Sequence, residues 1–109
     1  VNMLAGEVTK WTTACDKRLH RLVCYLHHTT KWAQTCHVGD ALNECQLFLF
    51  ADASFAGDLE DSKSTTGAYM VLIGPQTFVP ITWLCKKQGA VSHSSTEAEV
   101  IGLEAATRM

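Results

Sequence analysis

The sequence has no long hydrophobic run, because no apolar stretch approaches the roughly 20 residues that a membrane-spanning helix requires. Its N-terminal residues lack the charged, apolar and small-residue order of a secretory signal. Its five cysteines form no closely spaced pair. These absences predict a soluble protein that is not secreted, does not enter a membrane and works in a reducing, intracellular setting.

Charge of either sign is also sparse. Charged residues make up 18% of the chain and the net charge is −2, which argues against a uniformly cationic nucleic-acid-binding surface. The charge is unevenly distributed, at +3 over residues 1–38 and −5 over residues 39–109. Such a division suits a nucleic-acid contact beside a cation site, and chance asymmetry explains it equally well. With 47% hydrophobic residues, the composition indicates one folded domain.

Two segments have the pattern of helices. Between residues 12 and 29, apolar residues recur at helical spacing, and Thr12 or Thr13 is placed to cap the first turn. The segment 94–109 begins with two overlapping capping-box patterns, Ser94 with Glu97 and Thr96 with Glu99, so its first residue is ambiguous. We therefore expect an amphipathic N-terminal helix and a C-terminal helix.

Three segments between these helices have the pattern of strands. Residues 45–51 are apolar at both alternate sets of positions, which predicts a strand covered on both faces and ending at Asp52. Residues 67–73 and 76–85 predict two more strands, and Pro80 places the third at a sheet edge. A short strand is also expected within residues 32–38. Short connections favour an antiparallel meander, so the predicted class is α/β (α+β), with three strands and a C-terminal helix packed on the sheet.

Carboxylates are predicted at two element boundaries, Asp52 at a strand end and Glu97 or Glu99 in the first turns of a helix. Two carboxylates from separate elements are the minimum for holding Mg²⁺, which prefers oxygen ligands and keeps several waters. The simpler alternative is that Asp52 caps a turn and that the glutamates favour the helix dipole.

Four motifs, in their order and spacing, resemble the ribonuclease H region of Copia-type retrotransposon Pol polyproteins. They are Phe50 to Asp58, Ser62 to Gly67, Trp83 with Lys86-Lys87-Gln88, and Ser94 to Glu99. The resemblance runs from about Leu47 to Leu103, and residues 12–29 resemble the segment that joins the reverse transcriptase to that region. It implies a connection-like segment at 1–44, a partial ribonuclease H-like domain at 45–109, and Mg²⁺- or Mn²⁺-dependent cleavage of the RNA strand of RNA/DNA hybrids. The setting that it implies is a cytoplasmic particle or the nucleus.

The resemblance assigns site roles to individual residues by their position in these motifs. Asp52 matches the first-strand catalytic aspartate, and Glu99 matches the helix glutamate because Gly102 supplies the small residue three positions later; Glu97 is the alternative. Both would be metal ligands, and Asp58 is a candidate for a supporting role. The chain departs from the family pattern at four positions, Ser54 for Asp, Phe55 for Trp, Ser62 for Arg and Val100 for an aromatic residue.

The resemblance also places further catalytic aspartates on a later strand and helix, beyond Met109. We therefore expect weak metal binding and little or no nuclease activity from this chain by itself. The implied partners are an RNA/DNA hybrid and the remainder of the Pol polyprotein. An uncovered edge of the first strand also predicts self-association.

Three other interpretations apply to the remaining residues. A non-catalytic nucleic-acid-binding or interaction module would use basic side chains on phosphates: Lys10, Lys17, Arg18, Arg21, Lys86 and Lys87. A zinc site would draw on Cys24, His27 or His28, Cys36, His37 and Cys45, although half-buried cysteines and surface histidines are a simpler explanation. Aromatic residues are candidates for base stacking, but we expect them to pack in the core: Trp11, Trp32, Trp83, Phe48 and Phe50.

Overall fold

A computed structural model describes residues 1–56 and 61–109 of the chain. These residues form two units, Val1–Thr35 and Cys36–Met109. The functional division between residues 44 and 45, expected from the sequence, stays a prediction.

The first unit is built around one amphipathic helix. It contains α1 (Asn2–Gly6), a 3₁₀ turn (Val8–Lys10) and α2 (Thr13–His28). Thr12 Oγ1 accepts a hydrogen bond from the Cys15 backbone N–H at 3.4 Å, so the predicted cap is confirmed. The Cys15 side chain is fully buried, and its Sγ donates to Glu7 Oε2 at 2.6 Å. Within the described residues, no helix has the length and apolar character needed to cross a bilayer.

The second unit contains a three-stranded antiparallel sheet in the order β1 (Gln46–Ser54), β2 (Thr65–Gly74) and β3 (Thr77–Lys87). The predicted meander is therefore confirmed. β3, which contains Pro80, lies at an edge as expected, because proline cannot donate to a second ladder. β1 lies at the other edge of the sheet.

The structure contradicts two strand predictions. On β1, Phe48 (39% exposed) and Phe50 (54% exposed) share one face that is open to solvent, so the strand is not covered on both faces. The reason is that, within this unit, α3 (Ser95–Thr107) packs on the opposite face, where Ala51 and Ala53 lie, and leaves the face of Phe50 open. The strand expected within residues 32–38 is reduced to a single bridge between His37 and Phe78.

α3 packs on β1 and β2 through small residues spaced four apart. Ala98, Gly102 and Ala106 are buried on one stripe of the helix, because four residues make about one helical turn. A Cβ added at Gly102 would lie 3.5 Å from the Cβ of Ala53. The predicted mixed α and β class, with a C-terminal helix packed on the sheet, is therefore confirmed.

A polar clasp holds the turn between β2 and β3. Asp40 Oδ2 accepts hydrogen bonds from the Gln76 backbone N–H at 2.7 Å and from Thr77 Oγ1 at 2.6 Å. Thr77 Oγ1 in turn accepts from the backbone N–H groups of Gly39 and Asp40, each at 3.1 Å. The chain preceding β1 is thereby fixed to the far end of the sheet.

Candidate functional site

Asp52 lies near the C-terminal end of β1. Its cross-strand partner on β2 is Gly67, which has no side chain to cover it. Asp52 is exposed, and its Oδ1 accepts a hydrogen bond from the Ala53 backbone N–H at 2.9 Å. One carboxylate oxygen is therefore held by the neighbouring backbone amide, and the side chain is exposed to solvent.

The start of α3 separates the two candidate glutamates. Ser94 is the N-cap residue, and its Oγ accepts from the Glu97 backbone N–H at 3.1 Å. Glu97 Oε2 accepts from the His93 backbone N–H at 2.7 Å, so this carboxylate completes the cap. The ambiguity in the first helical residue is thus resolved in favour of the pair Ser94 and Glu97.

Glu99 has a different environment from Glu97. It borders an open groove of about 230 Å³, together with Ala51 of β1 and the α3 side chains Thr96, Val100 and Leu103. In the described part of the chain, no hydrogen bond or ion pair engages its carboxylate. Glu99 is therefore free to bind a ligand, whereas Glu97 is engaged in capping. This contrast favours Glu99 over Glu97 as a ligand.

Asp52 is part of β1, and α3 places Glu99 beside the same strand. Ala51 and Ala53 face α3, so the alternation of the strand directs Asp52 to the opposite face of β1. A Cβ at Gly102 would lie 3.6 Å from the backbone oxygen of Asp52, which shows how closely α3 crosses the strand there. Glu99, one turn earlier, borders Ala51. The carboxylates therefore flank the outer strand of the sheet on either side of its backbone.

The carboxylate oxygens of Asp52 and Glu99 are of the type that binds a hard divalent cation, but only two side chains supply them. Carboxylate oxygens are the ligands that Mg²⁺ prefers, and one or two protein carboxylates are usual for this ion. Among residues 1–56 and 61–109, no cluster of three or more His, Cys, Asp or Glu side chains is assembled for a metal. Asp52 and Glu99 are therefore two oxygen donors of the right type, and their role in binding Mg²⁺ stays a prediction.

The predicted nucleic-acid contacts are dispersed. Arg18 lies 3.4 Å from Glu7, and Lys87 lies 2.9 Å from Asp61, so each has an acidic neighbour. Arg21 is exposed on α2, and Lys86 is exposed near the end of β3. Asp58 lies outside the described residues. Within each unit, these positions provide no concentrated basic patch.

The open face of the sheet carries an aromatic row, and three residues on this face, Phe48, Phe50 and Trp83, were expected in the core. Phe50 pairs with Tyr69 across β1 and β2, and Tyr69 pairs with Trp83 across β2 and β3. Trp83 is 65% exposed and Phe50 is 54% exposed. Phe48 stacks on Phe50 with the ring centroids 6.1 Å apart. The core assignment was therefore wrong for Phe48, Phe50 and Trp83, because α3 packs on the opposite face of the sheet.

Comparison with known proteins points to retrotransposon Pol polyproteins. Over 99 residues, 91% of this chain, the sequence is 41% identical to the retrovirus-related Pol polyproteins from transposons RE1 and RE2 of Arabidopsis thaliana. The matched region is 6% of the length of each polyprotein. The chain is therefore similar to a short region of a retrotransposon Pol polyprotein.

A second kind of relative comes from Plasmopara viticola. Its secreted RxLR effector protein 161 is 35% identical over 91 residues, which cover 83% of this chain and 58% of that protein. No family model matches the chain. No solved structure is detectably similar to it.

Proposed function

We propose that this chain is the ribonuclease H region of a Copia-type Pol polyprotein and carries the Asp52 and Glu99 half of a metal-dependent nuclease site. The observation that carries the proposal is the convergence of two independently fixed elements at one strand. Asp52 lies two residues before the end of β1, and α3, capped by Ser94, crosses that strand at Gly102. Glu99 has no intramolecular partner in the described chain.

The proposed substrate is the RNA strand of an RNA/DNA hybrid. A bound Mg²⁺ or Mn²⁺ supplies activation of water and stabilisation of the leaving oxygen in such hydrolysis. The task of Asp52 and Glu99 is to present two negatively charged oxygen donors from a strand end and a helix flank. The exposure of both carboxylates leaves room for substrate phosphate and for water beside them.

Two carboxylates bind Mg²⁺ weakly, so we expect little activity from this chain by itself. The remainder of the polyprotein is the proposed partner that completes the site, in a cytoplasmic particle or the nucleus. Within the described sheet β1 pairs on one edge only, and its other edge supports the proposal of self-association.

Cleavage of a labelled RNA/DNA hybrid tests the proposal. The assay compares this chain, the chain joined to the sequence that follows the matched region in the transposon RE1 polyprotein, and the Asp52→Asn form of that fusion. We expect cleavage from the fusion in Mg²⁺, a loss of at least about a hundredfold in the Asp52→Asn form, and little cleavage by the chain alone. A folded fusion that cuts equally well with and without Asp52 would refute the proposed site.

The exposed aromatic row favours a second candidate, a non-catalytic nucleic-acid-binding module. Phe50, Tyr69 and Trp83 are aligned on one open face, and aromatic side chains there provide surfaces on which bases stack. This module would bind single strands without metal and would lose affinity as salt rises, because phosphates release counterions on binding. An inert fusion that binds nucleic acid in this manner would favour this second function.

A further inference from the structure

Gln88, the residue that follows β3, is a polar side chain at the centre of the junction between the sheet and α3. It is 6% exposed, and its two hydrogen-bonding side-chain neighbours, Thr66 and Ser92, are 2% and 4% exposed. Burial of an amide is costly unless its polar atoms are paired. The hydrogen bonds of the Gln88 side chain therefore show which parts of the fold it connects.

Both ends of the Gln88 amide are paired. Nε2 donates to the Ala98 backbone oxygen at 2.9 Å and to Thr66 Oγ1 at 3.1 Å, and Oε1 accepts from Ser92 Oγ at 3.0 Å. The backbone oxygen of Ala98 only accepts, so this contact determines which end of the amide carries the N–H groups. The Gln88 backbone N–H also donates to the Ser64 oxygen at 2.8 Å, which anchors the residue beside β2.

The two partners of Nε2 each lie next to a candidate metal ligand. Thr66 is the cross-strand partner of Ala53, the residue after Asp52. Ala98 is the residue before Glu99. One side chain thereby connects the strand register beside Asp52 with the first turns of the helix that carries Glu99.

We infer that Gln88 is the positioning residue that holds the first turns of α3, and with them Glu99, at a fixed distance from the strand end that carries Asp52. Its consequence for metal binding rests on the proposed function, whereas its effect on the helix does not. Ligand groups must be held within about 0.5 Å of their working geometry. Loss of the Gln88 hydrogen bonds should therefore have a measurable effect on the position of Glu99.

The test uses the full chain and two substitutions. Gln88→Met keeps the side-chain length and volume and removes all three side-chain hydrogen bonds. Ala106→Gly is the matched control, because it loosens α3 two turns further along, away from Gln88. Both variants are measured at temperatures where circular dichroism shows them fully folded.

The first measurement is the NMR cross-peak between the Gly102 α protons and the Ala53 methyl group, recorded without metal. A Cβ added at Gly102 would lie 3.5 Å from the Ala53 Cβ, so the protons are close enough to give this signal. Because the signal falls with the sixth power of distance, a displacement of about 0.5 Å over a separation of about 4 Å lowers it about twofold. We expect that loss in Gln88→Met and not in Ala106→Gly. An unchanged cross-peak in a folded Gln88→Met protein would overturn the inference.

The second measurement is Mn²⁺ binding, followed by electron paramagnetic resonance of the free ion. We expect the dissociation constant to rise about tenfold in Gln88→Met and to stay unchanged in Ala106→Gly. If the wild-type chain binds no Mn²⁺ while the cross-peak still weakens in Gln88→Met, the proposed metal site fails and the positioning role stands. A displaced helix with an unchanged dissociation constant would overturn the effect on Glu99.

Discussion

Gly102 provides a steric test of how α3 crosses β1. A Cβ at this position would meet the Ala53 Cβ at 3.5 Å, Thr66 Oγ1 at 3.5 Å and the Asp52 oxygen at 3.6 Å. These are ordinary van der Waals separations, so alanine fits without displacement. Because alanine is favoured over glycine in a helix interior, we expect Gly102→Ala to stabilise the protein by up to about 1 kcal/mol.

Valine at the same position should destabilise the protein, whereas alanine should stabilise it. Its two additional methyl groups extend from a Cβ that is already in contact with both strands, and overpacking of this kind costs typically about 1–3 kcal/mol. The difference in the free energy of unfolding between Gly102→Ala and Gly102→Val is therefore expected to exceed about 2 kcal/mol. For a domain of this size, that corresponds to a change in Tm of roughly 8–16 °C.

Urea unfolding followed by circular dichroism measures the series, with Gly89→Val as the matched control. Gly89 lies outside the helices and strands, and an added Cβ there meets no atom within 4 Å, so its substitution should have little effect. A Gly102→Val protein as stable as Gly89→Val would refute the close crossing of α3 over the strand, and with it the argument that places Glu99.

Three further predictions concern other parts of the fold. Asp40→Ala removes two hydrogen bonds to a carboxylate and should cost roughly 2–3 kcal/mol in thermal unfolding, whereas Glu44→Ala, which removes one exposed bond to the Ala41 N–H, should cost less than about 1 kcal/mol. Ser94→Ala removes the α3 cap and should cost about 1 kcal/mol, compared with near zero for Ser95→Ala; equal values would contradict the assigned cap. Leu47→Lys places a charge on the exposed edge strand and should shift sedimentation toward monomer if the open edge of β1 mediates self-association; an unchanged distribution would exclude that edge.

The two long helices, α2 and α3, were predictable because their signals are local, whereas the short α1 was not predicted. The apolar spacing of α2 and the capping residues Thr12 and Ser94 act within a few positions of the helix start. The sheet order followed from short connections and from Pro80, which has no N–H for a second ladder. Each of these features depends on residues close together in the chain.

The exposure of the aromatic row could not be predicted in the same way. Alternating and continuous apolar patterns indicate which residues favour burial, but not which element is present to cover them. Phe50 and Trp83 are large apolar residues of the kind found on a covered strand face, yet α3 packs on the opposite face of the described sheet. Coverage is a long-range property, so the strand pattern gave the wrong environment.

The positions of Asp52 and Glu99 in the fold could be predicted from the sequence, whereas the side chains that support them could not, and their role as ligands stays a prediction. Asp52 and Glu99 follow from motifs at element boundaries, and the small residue at Gly102 behaves as the resemblance implies. Gln88 was missed as a buried residue, because a glutamine after a pair of lysines is ordinarily read as surface. The signal that was available was the position of Gln88 between the third strand and the α3 cap, where the chain must turn back across the sheet.

The most direct test of the central claim is Mn²⁺-induced broadening of backbone NMR signals in the full chain. If Asp52 and Glu99 hold one ion together, low Mn²⁺ should broaden the amides of Ala53 and Val100 first. Asp52→Asn and Glu99→Gln should each reduce both effects, whereas Glu97→Gln should leave them in place because Glu97 is engaged in capping. Broadening that follows Glu97, or that is unaffected by Asp52→Asn, would contradict the proposed site.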